Sequence, residues 1–60
     1  MKRKEFMTIN IMAQFNVEQA VFVIMGVNMA LGTNYKIMNK RVVWEDENGK
    51  MHDAWATAEE

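Results

Sequence analysis

Apolar and polar positions alternate along this chain with different periods, and each period predicts an element. Ala20 to Leu31 reads AVFVIMGVNMAL, with only Gly26 and Asn28 breaking the apolar run. At the helical period, Val21, Ile24 and Leu31 share one side with Val17 and Asn28. Phe22, Met25 and Met29 share another side with Glu18 between them. Gln19, Val23, Gly26 and Ala30 form a third line of small or weakly polar residues. The run predicts a helix with readable ends. Asn16 is a good N-cap, Gln19 completes a capping-box-like Asn-x-x-Gln, and Gly32 suits a left-handed C-terminal residue. A helix that is apolar almost all round is normally buried all round. It is therefore expected to be the central, mostly buried element.

The preceding segment, Glu5 to Phe15, carries two periods at once. Met7, Ile9 and Ile11 alternate with Thr8 and Asn10, as in a short strand. At the helical period, Phe6, Ile9 and Ala13 share a face while Met7, Ile11 and Phe15 lie opposite. No Gly or Pro interrupts residues 1–25, and helix is the preferred assignment. The clearest local signal comes later. Asn48-Gly49 lies between strand-like runs at Val42–Asp46 and Met51–Ala56, and Asn-Gly is the strongest short hairpin signature because a type I′ turn needs positive φ at both central residues. With those two residues at the turn, Glu47 faces Lys50, Glu45 faces His52 and Trp44 faces Asp53. The core face then holds Val42, Trp44, Met51 and Trp55, with Asp46 and Asp53 toward its edge. A one-residue slip would reverse the faces. Tyr35 to Asn39 is a candidate third strand. The expected architecture is α+β: a single domain over residues 1–60, with two N-terminal helices followed by a C-terminal antiparallel β-hairpin.

Length sharpens this picture. A domain of 60 residues buries only about 60% of its unfolded surface, and such domains often lean on disulfides, metals or oligomerisation. There is no cysteine and only one histidine, so a disulfide is excluded and a structural zinc site is not expected. Oligomerisation remains. Gly26 and Ala30 would let a partner helix approach closely, and Phe22, Val23, Gly26, Val27 and Ala30 are the expected self-association residues; the other possibility is that this line simply faces water. No cofactor is expected. The apolar run of 12 residues is shorter than the roughly 20 that a membrane span needs, and no leader or lipidation motif is seen, so the cytoplasm is the expected compartment.

Charge and chemistry narrow the function classes. The net charge is −1, which gives no basic field for nucleic acid. The basic residues cluster at Lys2, Arg3 and Lys4 and at Lys36, Lys40 and Arg41, and these six are the candidate nucleic-acid contacts. The second helix has no Lys or Arg to read a groove, and the hairpin tip EDENGK would be repelled by phosphate. Glu45 and His52 make no closed metal or acid–base site, the phosphate-binding glycine loop is absent, and so small a domain is expected to lack a typical substrate pocket. The sequence therefore points to a non-enzymatic interaction or assembly module. Its expected partner is a second copy of itself, with another protein as a further partner; a nucleic-acid-binding accessory factor is the alternative.

Overall fold

The structure, a computed structural model, describes residues 1–60. Two helices, α1 (Arg3–Phe15) and α2 (Val17–Leu31), precede a sheet of β1 (Lys36–Met38), β2 (Arg41–Glu45) and β3 (Met51–Asp53), and a one-turn helix α3 (Ala54–Thr57) follows. All neighbouring strands are antiparallel, in the order β1-β2-β3. The α+β class, the two N-terminal helices and the third strand are as the sequence predicts. Residues 5–15 are helix, not strand. The ends of α2 also form as expected: the Asn16 side chain accepts from the Gln19 amide at 3.1 Å, and Gly32 closes the helix at φ 67°.

Within the single chain the central position falls to α1 rather than α2. Helix α1 touches α2, α3 and β2, and it buries Phe6, Ile9, Asn10 and Ala13. Helix α2 buries only Ala20 and Ile24. Val42 of β2 and Ala54 of α3 complete the core. Three of its seven apolar residues are alanines, and only Phe6 and Val42 are large and fully enclosed. The core is therefore small, and close approach of backbones replaces bulk. Phe6 also meets Tyr35 edge-to-face, with ring centroids 4.9 Å apart.

One buried polar side chain joins the helical layer to the sheet. Asn10 Oδ1 accepts the amide of Val42 at 2.7 Å. The ladder between β2 and β3 explains why that amide needs it. Asp46 N donates to Lys50 O at 2.9 Å, and hydrogen-bonded pairs recur at every second residue, so Val42 would next bond to Ala54. Ala54 has already turned into α3, where its carbonyl accepts from Ala58 N. Asn10 supplies the acceptor that the sheet no longer offers. A second asparagine works similarly at the other end of the sheet. Asn28 donates to Tyr35 O and accepts from Tyr35 N, both at 2.9 Å, clasping the approach to β1 onto α2.

The turns differ from the sequence expectation. The positive-φ pair lies at Asn39 (51°) and Lys40 (61°), in the two-residue link between β1 and β2, which is where the type I′ turn forms. Asn48-Gly49 instead belongs to a three-residue loop. Gly49 alone has positive φ, at 81°, and its amide donates to Asp46 O at 3.0 Å. The Asp46 carboxylate selects this form: Oδ1 accepts from the amides of Asn48 and Lys50, each at 2.9 Å. The register consequently slips by one residue, so that Trp44 faces His52, Val43 faces Asp53 and Glu45 faces Met51.

The slip corrects the expected hairpin face. Val42 and Trp44 do point to the core, joined by Ile37. Met51 lies with Glu45 on the opposite face and is exposed. Trp55 packs against the core from α3 and not from a strand, because Asp53 ends β3 and caps α3 through the Trp55 amide at 2.9 Å. The outer face carries two ion pairs diagonal to the ladder: Lys36 with Glu45 at 3.9 Å, and Arg41 with Asp53, where Arg41 Nε donates to Asp53 Oδ2 at 2.9 Å. These replace the expected pairs Glu45–His52 and Glu47–Lys50.

Two substitutions test these contacts. Asn10→Ala should strand the Val42 amide and lower stability by about 1–3 kcal/mol, read as a fall in the urea midpoint at unchanged m-value. Lys40→Gly should relieve the left-handed strain of a side chain in the β1–β2 turn and raise stability by about 1 kcal/mol. If Lys40→Gly lowered the midpoint, that turn would be misassigned.

Candidate interaction surface

The side of α2 away from the core is apolar and uncovered. Phe22 is 78% exposed, Met25 57% and Met29 87%. Val21 and Leu31 are also exposed, as are Met7, Ile11 and Phe15 of α1, the last at 86% beside the link between the helices. A few exposed apolar side chains are ordinary on any protein; a run of them on adjoining helices makes this the candidate interaction surface. Glu18 is the only charged residue on α2. This surface follows directly from the sequence: α2 is apolar on several sides, and the rest of the chain covers only one of them.

The five residues expected to mediate self-association separate into two groups. Phe22, Gly26 and Ala30 are exposed, and a methyl group added at Gly26 would meet nothing within 4 Å. Val23 and Val27 are half-buried, with Val23 packed against the core. Met25 and Met29 are more exposed than either valine, so the outward face is centred on the Phe22–Met25–Met29 side of the helix.

The basic residues do not gather into one free patch. Arg3 ties the two ends of the chain together. Its Nε and Nη2 donate to Ala58 O at 3.1 and 2.9 Å, its amide donates to Glu59 O at 3.1 Å, its Nη1 pairs with Glu60 at 3.3 Å, and its guanidinium lies 6.0 Å from the Trp55 ring centroid. Lys36 and Arg41 are engaged by the carboxylates of the outer sheet face. Of the six candidate nucleic-acid contacts, only Lys2, Lys4 and Lys40 make no ion pair. The sequence shows the charges but not these partners, because each pair joins residues far apart in the chain or lies across strands, where the partner depends on the register.

Two other features carry chemistry. Between the N-terminus, the 32–35 link and α3 lies an open cleft of about 550 Å³, lined by Met1, Phe6, Gly32, Thr33, Asn34, Tyr35, Trp44, Ala54, Thr57 and Ala58. Its size corrects the expectation that so small a domain lacks a pocket of typical volume. Its lining includes three aromatic rings, Phe6, Tyr35 and Trp44, and none of its side chains is charged. Thr33, Asn34 and Thr57 each already hydrogen-bond within the chain: to Asn28 Oδ1, to Glu45 O and to Asp53 O. At the hairpin, the His52 ring stacks on Trp44 with centroids 4.5 Å apart, and its Nε2 meets Asp46 Oδ2 at 2.8 Å. The Trp44 indole donates to Thr57 at 3.1 Å. No group of three or more His, Cys, Asp or Glu side chains is placed to hold a metal ion. No helix is long and apolar enough to cross a membrane. No protein-family model, curated protein or solved structure matches the chain.

The His52 hydrogen bond holds the Asp46 carboxyl below the ordinary carboxylate range, with help from the amides of Lys50 and Asn48. A lowered carboxyl pKa stabilises the fold above the unfolded value, and this contribution disappears as pH falls through the folded value. Stability should therefore drop on acidification below about pH 4, the ordinary aspartate range. Asp46→Asn keeps an oxygen for the turn amides but removes the charge. Its stability relative to the parent should be lower at neutral pH and converge toward it in acid, as followed by urea midpoints across a pH series.

Proposed function

We propose that this protein is a small, non-enzymatic assembly module that associates with a second copy of itself through the outward face of α2. The observation that carries the proposal is the uncovered apolar side of that helix, centred on Phe22, Met25 and Met29. The small core supports it. With only eight buried residues and no disulfide, the chain gains much from covering further apolar surface, and association offers that gain without new sequence. A standard interface takes about 800 Å² from each partner. That is roughly a fifth of the 4433 Å² this chain exposes, an extent that exposed residues of the two helices can supply. Gly26 and Ala30 lie at the flank of the face, where their small size permits close helix contact. The ion-paired outer face of the sheet stays free for display to another macromolecule.

Absolute mass by light scattering over a dilution series tests the proposal. A dimer or larger species that dissociates on dilution is expected, and a monomer throughout would overturn it. Phe22→Glu should abolish association while leaving far-UV circular dichroism unchanged, since Phe22 takes no part in the core. Gly26→Leu gives an independent check. In an isolated chain it should be stabilising by up to about 1 kcal/mol, because it removes a helical glycine and clashes with nothing. In the assembly it should weaken association, because a partner helix would meet the added side chain.

A further inference from the structure

We infer that the self-association proposed above proceeds by exchange of α1, with α1 and α2 of each chain fused into one continuous helix over residues 3–31. The inference rests on the assembly reading and adds how the assembly is built.

The observation is a repeat that ignores the corner between the helices. One line of positions runs through Phe6, Asn10 and Ala13 of α1 and Val17, Ala20, Ile24, Val27 and Leu31 of α2; Phe6, Asn10, Ala13, Ala20 and Ile24 are buried, Val27 is half-buried, and Val17 and Leu31 are exposed. These positions follow one another in alternating steps of four and three, and the alternation passes through Asn16 unbroken. The outward side keeps a second such seam: Ile11, Phe15, Glu18, Phe22, Met25 and Met29. Steps of four and three are the spacing that keeps one seam facing a partner along a continuous helix. Two helices that belonged permanently to a folded corner would have no need to share a phase. Glu18 is the single charged position on the outward seam, and seams tolerate an isolated polar residue.

The corner itself is close to helical already. Only Asn16 departs, at φ −155° and ψ 93°. Its amide still donates to Met12 O at 2.9 Å, and its carbonyl still accepts from Ala20 N at 3.2 Å. Straightening this one residue returns the amides of Val17, Glu18 and Gln19 to the carbonyls of Ala13, Gln14 and Phe15, the ordinary helical partners. No Gly or Pro in residues 1–25 opposes it. What it gives up is the Asn16 side-chain cap on Gln19. In the folded corner, Phe15 and Phe22 are among the most exposed large apolar side chains of the molecule. In the fused helix they lie seven residues apart on one seam, where two chains can cover them together.

Exchange costs none of the existing core. The partner's α1 takes the same place on the sheet and α3, so that the Asn10–Val42 bond and the Arg3 contacts with residues 58–60 are remade between chains. A link of one residue cannot loop back freely, and short hinges favour this outcome.

Pulsed electron paramagnetic resonance tests the inference, combined with light scattering on the same samples. The chain has no cysteine, so Lys4→Cys with Asn34→Cys gives two unique labelling sites, both exposed and both outside the Phe22–Met25–Met29 face. Labelled chains are mixed with excess unlabelled chains, so that the signal reports distances within one chain. In a fused helix, residue 4 and the helix end at residue 31 stand about 40 Å apart at the helical rise, and residue 34 lies just beyond that end. In the folded corner the two ends are close, since Met1, Phe6, Gly32 and Thr33 line one cleft in a molecule 30 Å along its longest axis. A dimer with the long distance is the expected result. A dimer with the short distance would overturn exchange and leave self-association standing, whereas a monomer would overturn both. Asn16→Ala should tighten association about fivefold by removing the cap that favours the corner. Insertion of Gly-Ser-Gly after Asn16 should relax the hinge and weaken association; an unchanged dimer would count against exchange.

Discussion

The fold depends on how one amide is satisfied. Where β3 ends and α3 begins, β2 still has a residue whose N–H points toward a strand that is no longer there. Leaving that donor buried without an acceptor would cost as much as a small protein can lose from several good contacts. Asn10 resolves this from the middle of α1, and in doing so fixes α1 across β2 at one depth and one rotation. Phe6, Ile9 and Ala13 then face the core as a consequence. The core is small enough that apolar packing alone would specify this placement weakly. A single directional bond makes it definite.

The same economy explains why the second helix remains uncovered. The chain has one sheet face and one short third helix with which to cover two helices. Strand β2, α3 and one side of α2 cover α1, and β1 lies against α2. Helix α2 is held by its own inner side, by the Asn28 clasp on Tyr35 and by the corner at Asn16. Its remaining sides keep the apolar character that marked it as a buried helix. The ends of the chain are tied separately, by Arg3 against residues 58–60, and the outer sheet face is closed by ion pairs. Arg3, Lys36 and Arg41 are therefore engaged within the chain, whereas Lys2, Lys4 and Lys40 make no ion pair and the apolar outer side of α2 is uncovered.

The sequence by itself determined the local elements, because their signals reside in neighbouring residues. The helical periods, the Asn16 cap with Gln19, the left-handed Gly32 and the strand-like runs each need only a few residues to be read; all formed where expected except the run expected over Met51–Ala56, which ends at Asp53 where α3 begins. Val42 and Trp44 were found on the core face because strand alternation is also local. What only the tertiary structure decided involves contacts between distant residues. Asn48-Gly49 resembled a two-residue turn, but the Asp46 carboxylate drew the loop into a three-residue form, and the one-residue slip moved Met51 and Asp53 to the outer face. Asn10 appeared in the sequence as one polar position among apolar ones, and nothing near it announced an acceptor needed 32 residues away. The exchange of centrality between α1 and α2 has the same origin. Periodicity states which faces of a helix are apolar, whereas the number of surfaces available to cover them is a property of the whole chain.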